Sequence, residues 1–181
     1  MNKILAIVAG AALALSGLAG AIVLVGSAAD RAPHPIWTEV AWPFPTDQWG
    51  RGKAFRCKAA DCGAEVHLYL RAKIGSCNCV TGVSDDAELD RMSDFDLIGA
   101  ASPLGAGRQV NVAHMQGRSR VYALRKSAGK TAISVAFNDR CDMVVATAVV
   151  SRDRPEPLEP GILSFLNSET VLRWAEVTLG I

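Results

Sequence analysis

The chain has 181 residues and a formal net charge of +1, and half of its residues are hydrophobic. Residues 1–29 contain a single charged side chain, Lys3, so 18 of the 19 Lys and Arg residues and all 18 acidic residues follow them. A neutral balance argues against general nucleic-acid binding, which needs a basic surface to neutralise phosphates. We therefore expect no nucleic-acid partner.

The first predicted element is an apolar run, residues 4–26, which carries no charge. As a helix it would span roughly 34 Å, enough to cross a hydrocarbon core of about 30 Å. Since Lys3 precedes the run, the positive-inside rule predicts that the rest of the chain is exported. A signal peptide usually has an apolar region of about 7–15 residues, so the length of this run favours an uncleaved anchor. The small residues 27–29, however, would suit cleavage by a signal peptidase. Residues 1–29 are therefore predicted to be either a transmembrane anchor or a cleaved signal segment.

Anchoring through residues 4–26 makes the membrane a predicted partner. We expect a single-pass protein of the bacterial inner membrane, with a cytoplasmic N-terminus and a periplasmic domain. Residues 30–49, rich in proline and tryptophan, are predicted to be a linker, because proline disfavours central strands and helices. Trp42 and Trp49 are expected to cover the edge of the core. Residues 50–181 are predicted to form the exported α+β domain.

Residues 65–74 alternate between apolar and polar side chains, which is typical of a strand with one face on a core. The even-numbered side chains, from Val66 to Ile74, are expected to face the core. The odd-numbered ones, from Glu65 to Lys73, are expected to face water.

A short middle helix is predicted after Asp85, with Glu88 three residues on in a loose capping arrangement. Six acids lie between residues 85 and 96, which suggests a calcium loop. An EF-hand loop needs Gly at its sixth position and Glu at its twelfth. Counted from Asp86, those positions hold Arg91 and Leu97, so a solvated acidic helix face is the favoured interpretation.

The remaining pattern predicts an antiparallel sheet of about five to six strands, covered by the middle helix and a C-terminal helix. The later strands are predicted at residues 110–115, 118–125, 131–137 and 141–150, with a tight turn at Gln116 and Gly117. The C-terminal helical stretches are predicted at residues 161–166 and 169–179, ending before Gly180. His114 shares a predicted strand face with Val110 and is expected to be buried.

Five cysteines in an exported domain predict disulfides, with at least one thiol left over. The disulfide candidates are Cys57, Cys62, Cys79 and Cys141. The extended residues 65–74 would hold the two cysteine pairs about 30 Å apart, so one metal site cannot gather all four. Cys57 and Cys62 can close a short loop, and we expect Cys77 or Cys79 to reach Cys141. The remaining thiol would then be free or would pair with another chain.

A two-thiol copper(I) site at Cys77 and Cys79, with His114 or Met115 as a further ligand, is the alternative function, because soft sulfur ligands suit copper. It would make the protein a periplasmic redox or copper-binding protein. No catalytic constellation stands out: the histidines His34, His67 and His114 are scattered, and no Gly-x-Ser-x-Gly elbow occurs. The sequence therefore predicts no particular catalytic residue, metal or cofactor.

The order of elements resembles that of PsbP-like domains, in which an antiparallel sheet lies between helices. The matching stretches are residues 44–55, 65–74, 118–124 and 165–174. The chain also resembles uncharacterised exported bacterial proteins in general. Members of the PsbP-like group are accessory or assembly proteins, so the resemblance implies a non-catalytic accessory or binding subunit. A membrane-protein complex is the partner we expect.

Overall fold

A single sheet is the centre of the fold. The computed structural model describes residues 35–75, 82–125, 129–152 and 155–180. Within them lie eight strands: β1 (Trp37–Val40), β2 (Lys53–Cys57), β3 (Val66–Lys73), β4 (Ala101–Pro103), β5 (Arg108–Val112), β6 (Met115–Leu124), β7 (Thr131–Asp139) and β8 (Asp142–Val150). Their order is β1-β2-β3-β8-β7-β6-β4, with β5 also paired to β6. The strand pairings are antiparallel.

The helices lie on the two faces of this sheet. They are α1 (Ala59–Cys62), α2 (Asp86–Met92), α3 (Phe95–Ile98), α4 (Glu159–Leu166) and α5 (Glu169–Leu179), with a 3-10 turn at Glu156–Leu158 before α4. On one face, α4 and α5 cover the larger apolar core through Ile162, Leu166 and Val171. On the other face, α2 packs a smaller apolar cluster through Leu89 and Met92. The predicted α+β class with a mostly antiparallel sheet is confirmed.

The local sequence signals explain several of these elements. Asp85 caps α2, since its carboxylate accepts a hydrogen bond from the backbone N–H of Glu88 at 2.8 Å. The two C-terminal helices begin and end close to the predicted bounds, and Gly180 follows α5 in a left-handed conformation. The largely apolar β8 is buried on both faces, because it lies at the centre of the sheet and the α4–α5 core covers one face while the α2 cluster covers the other.

The sheet is larger than the predicted five to six strands. The additional strand β1 lies in residues 30–49, which were predicted to be a linker, and β4 lies at Ala101–Pro103, where no strand was predicted. Both are short and lie near the ends of the strand order. Prolines are compatible with such edge positions, because an edge strand leaves half of its backbone donors unpaired.

The predicted turn at Gln116 and Gly117 is wrong, because both residues lie inside β6. The chain instead turns at Ala113, whose φ is +51°, and at His114. Gly117 is required by packing: a Cβ there would overlap the carbonyl oxygen of Ala136 on β7. His114 is consequently exposed, not buried as predicted.

Within the described part of the chain, no helix is long and apolar enough to cross a membrane. The predicted membrane segment, residues 4–26, and its flanking residues up to His34 lie outside the described residues.

Gly52→Ala is expected to lower the free energy of unfolding by about 1–3 kcal/mol, the usual cost of overpacking. A Cβ at Gly52 would overlap the carbonyl oxygen of Leu70 and lie 2.7 Å from the ring of Trp42. Urea denaturation of the two proteins measures the difference. Gly161→Ala is the matched control, because its Cβ would meet only Pro35, at 3.3 Å, and Ala favours a helix over Gly by about 1 kcal/mol. Equal stability of the Gly52→Ala protein and the wild type would contradict close packing here.

Candidate functional site

Residues 42–50, named the strap here, cover the polar face of β3. Phe44 packs edge-on against Tyr69 with ring centroids 4.9 Å apart, and Trp42 does so at 6.1 Å. Trp49 lies 5.7 Å from the Lys73 ammonium in a cation–π arrangement. Trp42 and Trp49, which were expected to cover the edge of the core, thus lie against Tyr69 and Lys73 of β3.

Beneath the strap lies a charged cluster formed by Asp47, Arg71, Lys73 and Asp94. Arg71 donates from Nη1 to Oδ1 of Asp94 at 2.9 Å, and the Lys73 ammonium lies 2.9 Å from the same oxygen. Arg71 also forms an ion pair with Asp47 of the strap. Lys73 donates in addition to the carbonyl oxygen of Met92, at 2.6 Å.

Three of the four residues of the charged cluster are buried, which corrects the expectation that the odd-numbered side chains of β3 face water. Arg71 is 1 % exposed, Asp94 3 % and Lys73 6 %. The strap and the turn that follows α2 exclude water from this half of the strand. The expectation holds at the other end of β3, where the side chain of His67 is partly exposed. His67 Nε2 lies there 3.1 Å from the carboxylate of Glu65.

The pKa values of the two carboxylates of the cluster are shifted in opposite directions. Burial raises the pKa of Asp94, although Lys73 and Arg71 counteract part of that rise. The hydrogen bond from Arg71 lowers the pKa of Asp47, whose side chain is one-third exposed. With two cations against two carboxylates, the cluster is neutral, so its charges are directed at one another and not at a ligand.

The acidic helix α2 is tied to β6, not free in water as predicted. Asp86 accepts from the backbone N–H of Gly107 at 2.9 Å and forms an ion pair with Arg118. Asp90 accepts from Arg120 at 2.9 Å and from the Tyr122 hydroxyl at 2.6 Å.

No group of three or more His, Cys, Asp or Glu side chains in the described ranges is arranged to hold a metal ion. The acids of α2 are instead used to fasten the helix to the sheet through arginine and tyrosine.

The structure places the cysteine candidates at different points of the fold. Cys57 and Cys62 form a disulfide that joins the end of β2 to α1, with their Cα atoms 6.0 Å apart. Cys141, at the turn between β7 and β8, is also disulfide-bonded. Cys77 and Cys79 lie outside the described residues, so their proposed link and copper site stay predictions. Of their suggested co-ligands, His114 is exposed and Met115 is buried in the main core.

An apolar groove runs between α5 and the β1–β2 edge of the sheet, with a volume of about 260 Å³. This α5 groove is lined chiefly by Phe55, Leu70, Val171, Trp174 and Val177. Val177 is 85 % exposed, which is unusual for a large apolar side chain. A second apolar cavity of about 210 Å³ lies beside Trp37, Cys62 and Ile162.

Sequence reasoning missed both the charged cluster and the α5 groove. The signal for the cluster was present, since Arg71 and Lys73 stand in a strand that follows the aromatic residues of the strap. Period-two alternation shows which side chains share a face, but it does not show whether another segment covers that face. Val177 was missed for a similar reason: the sequence predicts where α5 begins and ends, but not which of its apolar side chains the sheet leaves uncovered.

No protein-family model, curated protein or solved structure matches this chain. The resemblance to PsbP-like domains stays a prediction, and function has to be argued from the residues of the site itself.

Arg71→Met is expected to lower the free energy of unfolding by about 3 kcal/mol, because it leaves the Asp47 and Asp94 carboxylates without their shared guanidinium. Chemical denaturation measures the loss, and tryptophan fluorescence in the folded state reports whether the strap has moved. Arg173→Met is the control: its ion pair with Glu169 is exposed, so a change within about 0.5 kcal/mol is expected. Similar small effects of both substitutions would show that the cluster does not hold the strap.

Asp86→Asn is expected to reduce stability at neutral pH by about 1–3 kcal/mol and to flatten the fall in stability at acid pH. The N–H of Gly107, followed by Arg118, lowers the folded-state pKa of Asp86. A lowered pKa contributes stability above the unfolded-state pKa, and this contribution is lost as the pH falls through the folded-state pKa. Denaturation is measured from about pH 7 downward through the ordinary aspartate pKa of about 3.9, below which the loss begins.

Glu169→Gln is the control for this titration, because Glu169 is exposed and pairs only loosely with Arg173 at 3.4 Å. Its stability profile should follow that of the wild type. An Asp86→Asn profile parallel to the wild-type profile in acid would show that Asp86 does not titrate as argued.

Proposed function

We propose that the protein is a non-catalytic accessory or binding subunit, anchored in the inner membrane through residues 4–26, with its domain on the periplasmic side. The observation that carries the proposal is the α5 groove, where an exposed apolar side chain, Val177, stands beside β1, the strand that ends the described sheet. The charged groups described above are directed at one another, whereas this groove offers apolar surface to a partner.

The α5 groove has the features of a protein-recognition surface. Its floor is apolar, from Phe55 and Leu70, and Trp174 provides the kind of aromatic anchor found at interface hot spots. Lys53 and Glu39 form an ion pair at the rim, which matches the polar rim around an apolar centre in protein interfaces.

The partner we propose is an extended segment of another membrane-complex subunit. Among the described strands, β1 ends the strand order, so its outer edge would offer backbone donors and acceptors to an added strand. Val40 on β1 is 37 % exposed, and an added strand would shield it. An apolar side chain of the same segment would enter the α5 groove and cover Val177.

Site-specific photo-crosslinking tests this proposal with the full-length chain in its native membrane. A photoreactive residue at position 177 is expected to capture a discrete partner protein, because the groove would be occupied. Position 104 is the matched control, since Leu104 is also exposed and apolar, at 53 %, but lies beyond β4 at the other end of the sheet. Uncrosslinked monomer alone at position 177, or the same product at both positions, would contradict the proposal.

A further inference from the structure

A row of three carboxamide side chains runs across β5, β6 and β7 on the α2 face of the sheet. Asn111 of β5 is paired in register with Gln116 of β6, and Gln116 is paired with Asn138 of β7. Side chains in register on adjacent strands have Cβ atoms about 4.5–5.5 Å apart on one face. Val110 and Val112 point into the main core, so strand alternation directs this carboxamide row to the opposite face.

A cavity of about 330 Å³ opens over the carboxamide row. Gln109 and Ser84 complete its polar lining, and its apolar side chains are those of Val83 and Val110, both of which are buried. The volume falls within the about 300–1,000 Å³ that is typical of sites for small molecules. The cavity is therefore large enough for a compact small molecule.

Three of the lining carboxamides have unused hydrogen-bonding groups that a ligand can reach from solvent. Gln109, Asn111 and Gln116 are exposed, and their side chains form no hydrogen bond with another residue of the described ranges. Asn138 is held in place, since its Oδ1 accepts from the backbone N–H of Val83 at 3.1 Å. The carboxamides of β5 and β6 can therefore bond a ligand without breaking a contact of the fold.

The lining favours a neutral ligand with adjacent hydroxyl groups. It contains no charged side chain from the described residues, and Arg118, two residues beyond Gln116 on the same face of β6, is already paired with Asp86. An ionic ligand would therefore find no counter-charge. A carboxamide offers both an acceptor oxygen and an NH2 donor, and a hydroxyl group both donates and accepts. One carboxamide can accordingly donate to one hydroxyl of a vicinal diol and accept from its neighbour.

We propose that this cavity binds a neutral saccharide, whose neighbouring hydroxyl groups pair with the carboxamides of Gln109, Asn111 and Gln116. None of the lining residues is aromatic, so the sugar would be held by hydrogen bonds without stacking on an aromatic face. Because each of these bonds replaces one to water, its net contribution is modest, and a Kd of about 1–10 mM is expected. The α5 groove lies on the opposite face of the sheet, so the inference does not depend on the proposed protein partner.

Nuclear magnetic resonance of the isotope-labelled full-length chain, titrated with maltose in a detergent that has no sugar headgroup, tests the inference. Saturable shifts are expected in the side-chain NH2 signals of Gln109, Asn111 and Gln116, because these groups would donate to the sugar. Butane-1,4-diol should give no saturable shift, because its hydroxyl groups are not adjacent. Asn111→Ala and Gln116→Ala are each expected to weaken maltose binding about tenfold, since each removes a pair of hydrogen bonds. Both residues are exposed, so neither substitution disturbs the core.

Gln48→Ala is the matched control, because Gln48 is an exposed carboxamide of the strap and does not line the cavity. This variant should bind maltose as the wild type does, and the backbone signals of each variant show that it is folded. Three results would overturn the inference: no saturation at about 50 mM maltose, an equal response to butane-1,4-diol, or unchanged affinity in both cavity variants. The second result would mean that adjacent hydroxyl groups are not recognised, and the third would mean that the sugar binds elsewhere.

Discussion

The buried charge of Arg71 is the constraint on which the polar face of the sheet depends. A guanidinium in the interior is tolerated only when carboxylates neutralise it. Its neighbour Lys73 on the same strand face is also cationic, so β3 cannot supply them. Asp47 comes from the strap before β2, and Asp94 comes from the turn after α2. One buried cation therefore fixes two segments that are far apart in sequence, and those segments in turn exclude water from the cluster.

Much of the fold could be predicted because its local signals agree with its packing. Asp85 predicted the start of α2, and Gly180 predicted the end of α5, because capping depends on a few neighbouring residues. The apolar run at residues 141–150 predicted a strand, and a strand covered on both faces can be almost continuously apolar. The Cys57–Cys62 disulfide could be expected from a short loop between two predicted elements. Each of these features depends on residues that lie within about one helical turn or one strand of it.

The features that were missed depend on contacts between distant segments. Gly117 resembles a turn residue, but it is glycine because β7 approaches too closely for a Cβ. The true turn at Ala113 has a positive φ without the glycine or asparagine that normally marks one. The acids of α2 gave no sign that Arg118 and Arg120 would lie opposite them. Nothing in the sequence of residues 65–74 indicated that the strap would cover them.

The two faces of the sheet consequently offer different opportunities for recognition. On the strap and α2 face, arginines and carboxylates pair with one another, so a charged ligand would have to break existing ion pairs before making its own. On the α4 and α5 face, most of the buried side chains are apolar, while Val177 of α5 is left exposed. A partner can cover Val177 without disturbing the interior. Recognition of a protein partner is therefore expected on the face that contributes least to the charge pairing of the fold.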